Sequence, residues 1–151
     1  MCLSSREIVR TKNSMPTSDE FSNNEVTNLH NFDPGAVSVL NQLLHITGAE
    51  IVISSDWKLR VTFDEMCEFY HAQGVIKPPI DSTAWLPNSS NYHKQRAHEI
   101  ADWLGQHPAV TNWAAVDDLY LGCWLANFAW AKNVHLGITD PDVQLQIQKF
   151  F

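Results

Sequence analysis

The sequence predicts an α/β domain built on a parallel sheet with helices on both faces. Short apolar runs, Ala49-Glu50-Ile51-Val52-Ile53 and Trp113-Ala114-Ala115-Val116, alternate with amphipathic stretches of helical spacing, the order that βαβ units produce. Neither run shows the strict apolar-polar alternation of a half-exposed strand, so each reads as a strand covered on both faces. The chain has 151 residues, 44% hydrophobic and 18% charged, which suits one domain with its own core and lies far from a disordered composition.

Residues 1–31 are rich in Ser, Asn, Thr, Asp and Glu, and their few apolar residues keep no period. They read as an irregular leader, with the α/β domain over residues 32–151. Asp33-Pro34-Gly35 opens a helix, since Asp caps a helix start and Pro suits its first position; Val37, Leu40, Leu43 and Leu44 supply the apolar face and Gly48 the stop. After the Ile51-Val52-Ile53 strand, Thr62-x-x-Glu65 forms a capping box for a helix that runs to about Gln73 and closes at Gly74. Val75-Ile76 reads as a short strand, and the prolines and Asn/Ser residues that follow read as a loop.

A third helix covers Tyr92 to Gln106, and the Trp113 to Val116 strand ends in Asp117-Asp118. The nearly all-apolar stretch Leu119 to Ala131 is expected to be a buried helix on grounds of length. Asn133 to Leu136 is expected to be a last short strand, and Asp140-Pro141 starts a final helix.

Ten Lys and Arg stand against 17 Asp and Glu, a net charge of -7, and no basic run occurs; this excludes a general nucleic-acid or anionic-membrane binder. Cys2, Cys67 and Cys123 are odd in number and far apart, which fits free thiols, with Cys67 and Cys123 buried, in a reducing cytosolic or nuclear compartment. No apolar run reaches the length of a membrane span. The seven histidines show no zinc-site spacing, and Trp57, Trp103 and Trp113 read as core or rim packing.

In an open parallel sheet, ligands bind beyond the carboxyl ends of the strands. Ser54-Ser55 follows one strand and Asp117-Asp118 another. Hydroxyls at one tip and carboxylates at the next suit a phosphate with a divalent cation, because hard cations take oxygen ligands. The alternatives are a strand-end turn for the serines and a solvated turn or helix cap for the aspartates. Arg96 could equally pair with Glu99 or Glu65 on a solvated helix face.

Five segments in order, Phe32-Asp33-Pro34, Thr47 to Lys58, Arg96 to Leu104, Val116-Asp117-Asp118 and Gly137-Ile138-Thr139, resemble the haloacid dehalogenase-like superfamily. The closer likeness is to the small domains of that kind in multifunctional RNA-repair proteins. The resemblance implies a Rossmann-like sheet and Mg²⁺-dependent phosphohydrolase chemistry. It implies that Ser54, with Ser55 as a substitute, hydrogen-bonds the phosphoryl group and that Arg96 offsets its charge. Asp117 and Asp118 would hold Mg²⁺. The implied substrate is a phosphorylated small molecule or a nucleic-acid end.

The superfamily's first motif, a central strand ending in Asp-x-Asp, has no match here. The one Asp-x-Asp spacing, Asp140-Pro141-Asp142, lies near the C-terminus and reads as a helix cap. Without the attacking aspartate the covalent route is lost, so the expectation is a catalytically impaired domain with weak Mg²⁺ binding. The alternative is a non-catalytic domain that binds a phosphate or a partner. Either part of residues 1–31, such as Glu7-Ile8-Val9-Arg10, fills the central position in the sheet, or the chain is a shortened product of a hydrolase gene.

Overall fold

The computed structural model describes residues 31–87 and 90–151. The expected leader, apart from Asn31, and the Glu7 to Arg10 stretch lie outside the described residues. Helix α1 spans Pro34–Thr47, with Asp33 accepting a hydrogen bond from the Ala36 N–H and Gly48 ending it at a φ of 69°. That left-handed backbone is the conformation glycine adopts without a Cβ penalty. Strand β1 is Val52–Ile53, followed by a 3-10 turn over Asp56–Leu59. Helix α2, Phe63–Ala72, carries the predicted capping box: the Thr62 N–H donates to Glu65 Oε2 at 2.7 Å and the Glu65 N–H to Thr62 Oγ1 at 3.3 Å.

Strand β2, Asp81–Ser82, lies in the stretch expected to be a loop, while Val75-Ile76 forms no strand. Its residues carry no apolar pattern, and its pairing with β1 is made by backbone alone: the Ile80 N–H donates to the Ile51 carbonyl and the Thr83 N–H to the Ile53 carbonyl. Helix α3 covers Tyr92–Gln106, with Asn91 as its cap. Strand β3, Ala115–Asp117, and strand β4, Phe128–Trp130, pair in parallel, with Asp117 opposite Trp130. Helix α4, Pro141–Gln148, starts at the Asp140 cap.

Two expectations are corrected at the C-terminal end. Leu119 to Ala131 is a series of turns leading into β4 and not a buried helix. One helical turn does form, with the Leu125 N–H donating to the Leu121 carbonyl, and it buries Leu121 and Leu125. An apolar run without periodicity fits strand or helix, and here the open edge of β3 recruits its end as a strand. As a result Cys123 is exposed, while Cys67 is half-buried. Asn133 to Leu136 is likewise a turn, leading into a short 3-10 segment at Gly137–Thr139.

Two apolar clusters explain the layering. Ile51 and Ile53 of the first sheet, with Ala114, Val116 and Ala129 of the second, pack against residues of α1, α2 and α4. Val52 and Ala115 face the other way, onto Ala97, Ile100 and Trp103 of α3. Alternate residues of each strand therefore point into different cores, and both clusters draw on both sheets. This is a three-layer α/β/α arrangement. Leu40 and Leu44 of α1 are wholly buried, each contributing about 1.5–3 kcal/mol. Among the described residues the sheets are two parallel pairs, β1 with β2 and β3 with β4, and β1 and β3 are not hydrogen-bonded to each other.

Candidate functional site

Ser54 and Ser55 follow β1 directly, and both are buried. Ser55 serves the local backbone, its Oγ accepting from the Trp57 N–H at 3.4 Å to cap the 3-10 turn. Ser54 does not: its Oγ is buried with no hydrogen-bond partner among the described residues. Burying a hydroxyl without a partner is unfavourable.

Arg96 sits in the second turn of α3, its side chain 2% exposed. Its Nη2 donates to Asp56 Oδ1 at 2.6 Å and to Tyr92 Oη at 3.1 Å, and the Tyr92 hydroxyl also bonds Asp56 Oδ2. Its Nη1 is buried without a partner among the described residues. The alternative of a pairing with Glu99 or Glu65 on a solvated helix face is not what the structure shows. Glu65 is bound to its own helix start, and Glu99 faces Lys58. Asp56 and Tyr92 escaped the sequence reading as its partners, although Asp56 stands near a strand tip and Tyr92 lies one helical turn before Arg96, where a side chain shares its face.

Asp117 ends β3 and is fully buried. Its Oδ1 accepts from the Leu119 N–H at 3.0 Å, and its Oδ2 is buried with no partner among the described residues. Burial raises its pKa to about 6, opposed by the nearby positive charge of Arg96 and the Leu119 N–H, and reinforced by a side-chain hydrogen bond with the adjoining Asp118 and by that residue's charge. Asp118 is half-buried, and its backbone carbonyl accepts from Trp130 Nε1 at 3.1 Å. Arg96 and Asp117 thus lie within electrostatic reach of each other. Among the described residues there is no group of three or more His, Cys, Asp or Glu side chains placed to hold a metal.

Beside this constellation lies an ion pair that the sequence did not announce. Lys58 Nζ meets Glu99 Oε2 at 2.6 Å, with side-chain exposures of 6% and 3%. Burial lowers the Lys58 pKa from its ordinary value, and the Glu99 contact opposes that shift.

The family model for the HAD domain in Swiss Army Knife RNA repair proteins matches residues 6–149. The chain belongs to this haloacid dehalogenase-like family. The match begins inside the stretch read as a leader. No curated protein and no solved structure matches the chain. Membership makes this a haloacid dehalogenase-like domain of phosphohydrolase type, in a family that is generally Mg²⁺-dependent. No helix among the described residues is long and apolar enough to cross a membrane.

Proposed function

We propose that this haloacid dehalogenase-like domain binds a phosphate ester between Ser54, Arg96 and the Asp117-Asp118 turn, and that it turns the ester over poorly or not at all. The observation that carries the reading is the set of buried polar atoms without partners among the described residues, Ser54 Oγ, Arg96 Nη1 and Asp117 Oδ2. Such atoms are rare in folded proteins, and those at functional sites are completed by ligand or ion. A hydroxyl and a guanidinium suit phosphate oxygens, and a carboxylate beside them suits a cation that shares the phosphate charge.

Asp117 and Asp118 would be the residues to hold Mg²⁺, which would supply charge neutralisation when bound. With only this adjacent pair of carboxylates, its affinity is expected to be weak. Arg96 neutralises the phosphoryl charge, Ser54 donates to a phosphoryl oxygen, and Asp56 with Tyr92 fixes the plane of the guanidinium. Phosphoryl transfer rests mainly on this kind of positioning and neutralisation. The covalent route further needs a nucleophilic aspartate, and no Asp-x-Asp follows an apolar strand in this sequence.

Calorimetric titration with inorganic phosphate and phenyl phosphate, with and without Mg²⁺, tests the binding. Arg96→Gln and Ser54→Ala are expected to weaken it. Aryl phosphate hydrolysis that Asp117→Asn abolishes would show the domain to be an active enzyme.

A further inference from the structure

A cavity of about 350 Å³ is lined by residues of the turns that follow β3, of β4 and of the start of α4. Three aromatic rings form its wall. Tyr120 meets Trp130 edge to face with centroids 4.9 Å apart, and Phe128 at 6.0 Å. Tyr120 is nevertheless 44% exposed and Trp130 38% exposed, so the rings are braced against one another while still open to the cavity. Gly122 makes this possible, because a Cβ there would stand 2.8 Å from the Tyr120 hydroxyl. Asp142 and Gln146 of α4 and Lys132 also line the cavity.

The wall is tied to the phosphate-ester site on two sides. Trp130 Nε1 donates to the Asp118 carbonyl, and His93, one turn before Arg96 on α3, holds the Tyr120 carbonyl through Nδ1 at 3.1 Å.

We propose that this cavity is the subsite for the base of a phosphorylated nucleoside whose phosphate is bound at Ser54 and Arg96. The identity of the whole ligand rests on the phosphate-ester reading; the ring subsite stands on the cavity itself. Its volume lies at the lower end of the range for small-molecule pockets, about 300–1,000 Å³, which gives room for a single base and its sugar. Stacking on an aromatic ring is open to any base, while an amide and a carboxylate offer an acceptor-rich rim for the N–H groups on a base edge. A simple cation is the other ligand that rings and carboxylates attract. Lys132 at the cavity disfavours it, and Asp140 is already engaged in capping α4.

Fluorescence and calorimetric titrations with adenosine and guanosine, which lack phosphate, with ribose 5-phosphate, which lacks a base, and with the nucleoside monophosphates separate the two halves. The nucleosides are expected to bind alone, and the monophosphates more tightly than either half. Tyr120→Ala should weaken nucleoside binding about tenfold or more without changing the affinity for inorganic phosphate. Gly122→Ala, which displaces the same ring, should act in the same direction and serves if Tyr120→Ala fails to fold. A terminally phosphorylated trinucleotide that binds as well as the monophosphate identifies a strand end as the source, and one that does not identifies the free nucleotide; both results support the subsite. Ribose 5-phosphate binding as tightly as the monophosphates, with no nucleoside binding, overturns the subsite and leaves the phosphate reading intact. Tetramethylammonium binding in place of nucleosides also overturns it. Nucleoside binding without any binding of phosphate or ribose 5-phosphate would instead overturn the phosphate reading.

Discussion

Two buried charged clusters sit side by side near the start of α3, and they are finished differently. Lys58 Nζ has three acceptors, Glu99 Oε2 at 2.6 Å, Thr83 Oγ1 at 2.6 Å and the Ala84 carbonyl at 3.1 Å. Glu99 Oε1 in turn accepts from the Leu86 N–H and from Gln95 Nε2. Every charge there is answered within the chain. Around Arg96 and Asp117, by contrast, a guanidinium nitrogen and a carboxylate oxygen are buried without partners among the described residues, as is the Ser54 hydroxyl. The same low-dielectric surroundings thus hold one cluster that stabilises the loop before α3 and another whose polar atoms are left unanswered among the described residues.

The comparison breaks first at the satisfied cluster. Glu99→Ala leaves the Lys58 ammonium buried and unpaired, and loss of one partner of a buried pair costs about 3–5 kcal/mol. Chemical denaturation should register that as the largest loss of stability at either cluster. If Glu99→Ala were as stable as the parent protein, the pair would not be structural. Replacing both partners, with Lys58→Met and Glu99→Leu, should recover much of the loss, since no uncompensated charge remains.

The open cluster should respond in the opposite direction. The pKa of Asp117 stands at about 6 in the fold against 3.8 ordinarily. The folded state therefore keeps a proton that the unfolded chain has already released, so stability is greatest below about pH 4, falls as the pH rises to about 6 and is flat above that. Asp117→Asn keeps the Oδ1 bond to Leu119 and removes the ionisable group. It should stabilise the protein at pH 7 in the absence of divalent cations by on the order of 2–3 kcal/mol and erase that part of the pH slope. Equal pH profiles for the two proteins would mean that Asp117 ionises freely. On the proposed reading, the gain in stability should come with a loss of Mg²⁺-assisted phosphate binding, the trade expected of a residue kept for function.

Local chemistry accounts for what the sequence reading got right. Asp33, the Thr62-x-x-Glu65 box, Gly48 and Asp140-Pro141 act within a few residues of themselves, and each helix they bound lies where they placed it. Features decided at long range were not legible. Asp81 and Ser82 form a strand only because β1 offers them backbone partners, and the 119–131 run was apolar enough for either outcome. At the site, strand-tip position pointed to Ser54 and Asp117, and both are buried at the ends of β1 and β3. It could not separate Ser54 from Ser55, because which hydroxyl caps the 3-10 turn depends on how the chain bends after Ile53. Nor could it pair Arg96 with Asp56, which lies 40 residues earlier.

That distinction between the two serines gives the smallest effect and the sharpest reading. Ser55→Ala removes a capping acceptor and should cost about 0.5–2 kcal/mol, though the 3.4 Å geometry favours the low end. Ser54→Ala removes an oxygen that bonds nothing among the described residues, so it relieves a desolvated hydroxyl and should leave stability within about 0.5 kcal/mol of the parent protein or slightly above it. Phosphate affinity should show the reverse order, falling with Ser54→Ala and holding with Ser55→Ala. A Ser54→Ala protein that is clearly destabilised but binds phosphate normally would mean that the Ser54 hydroxyl supports the fold, and the open cluster would then be reduced to Arg96 and Asp117.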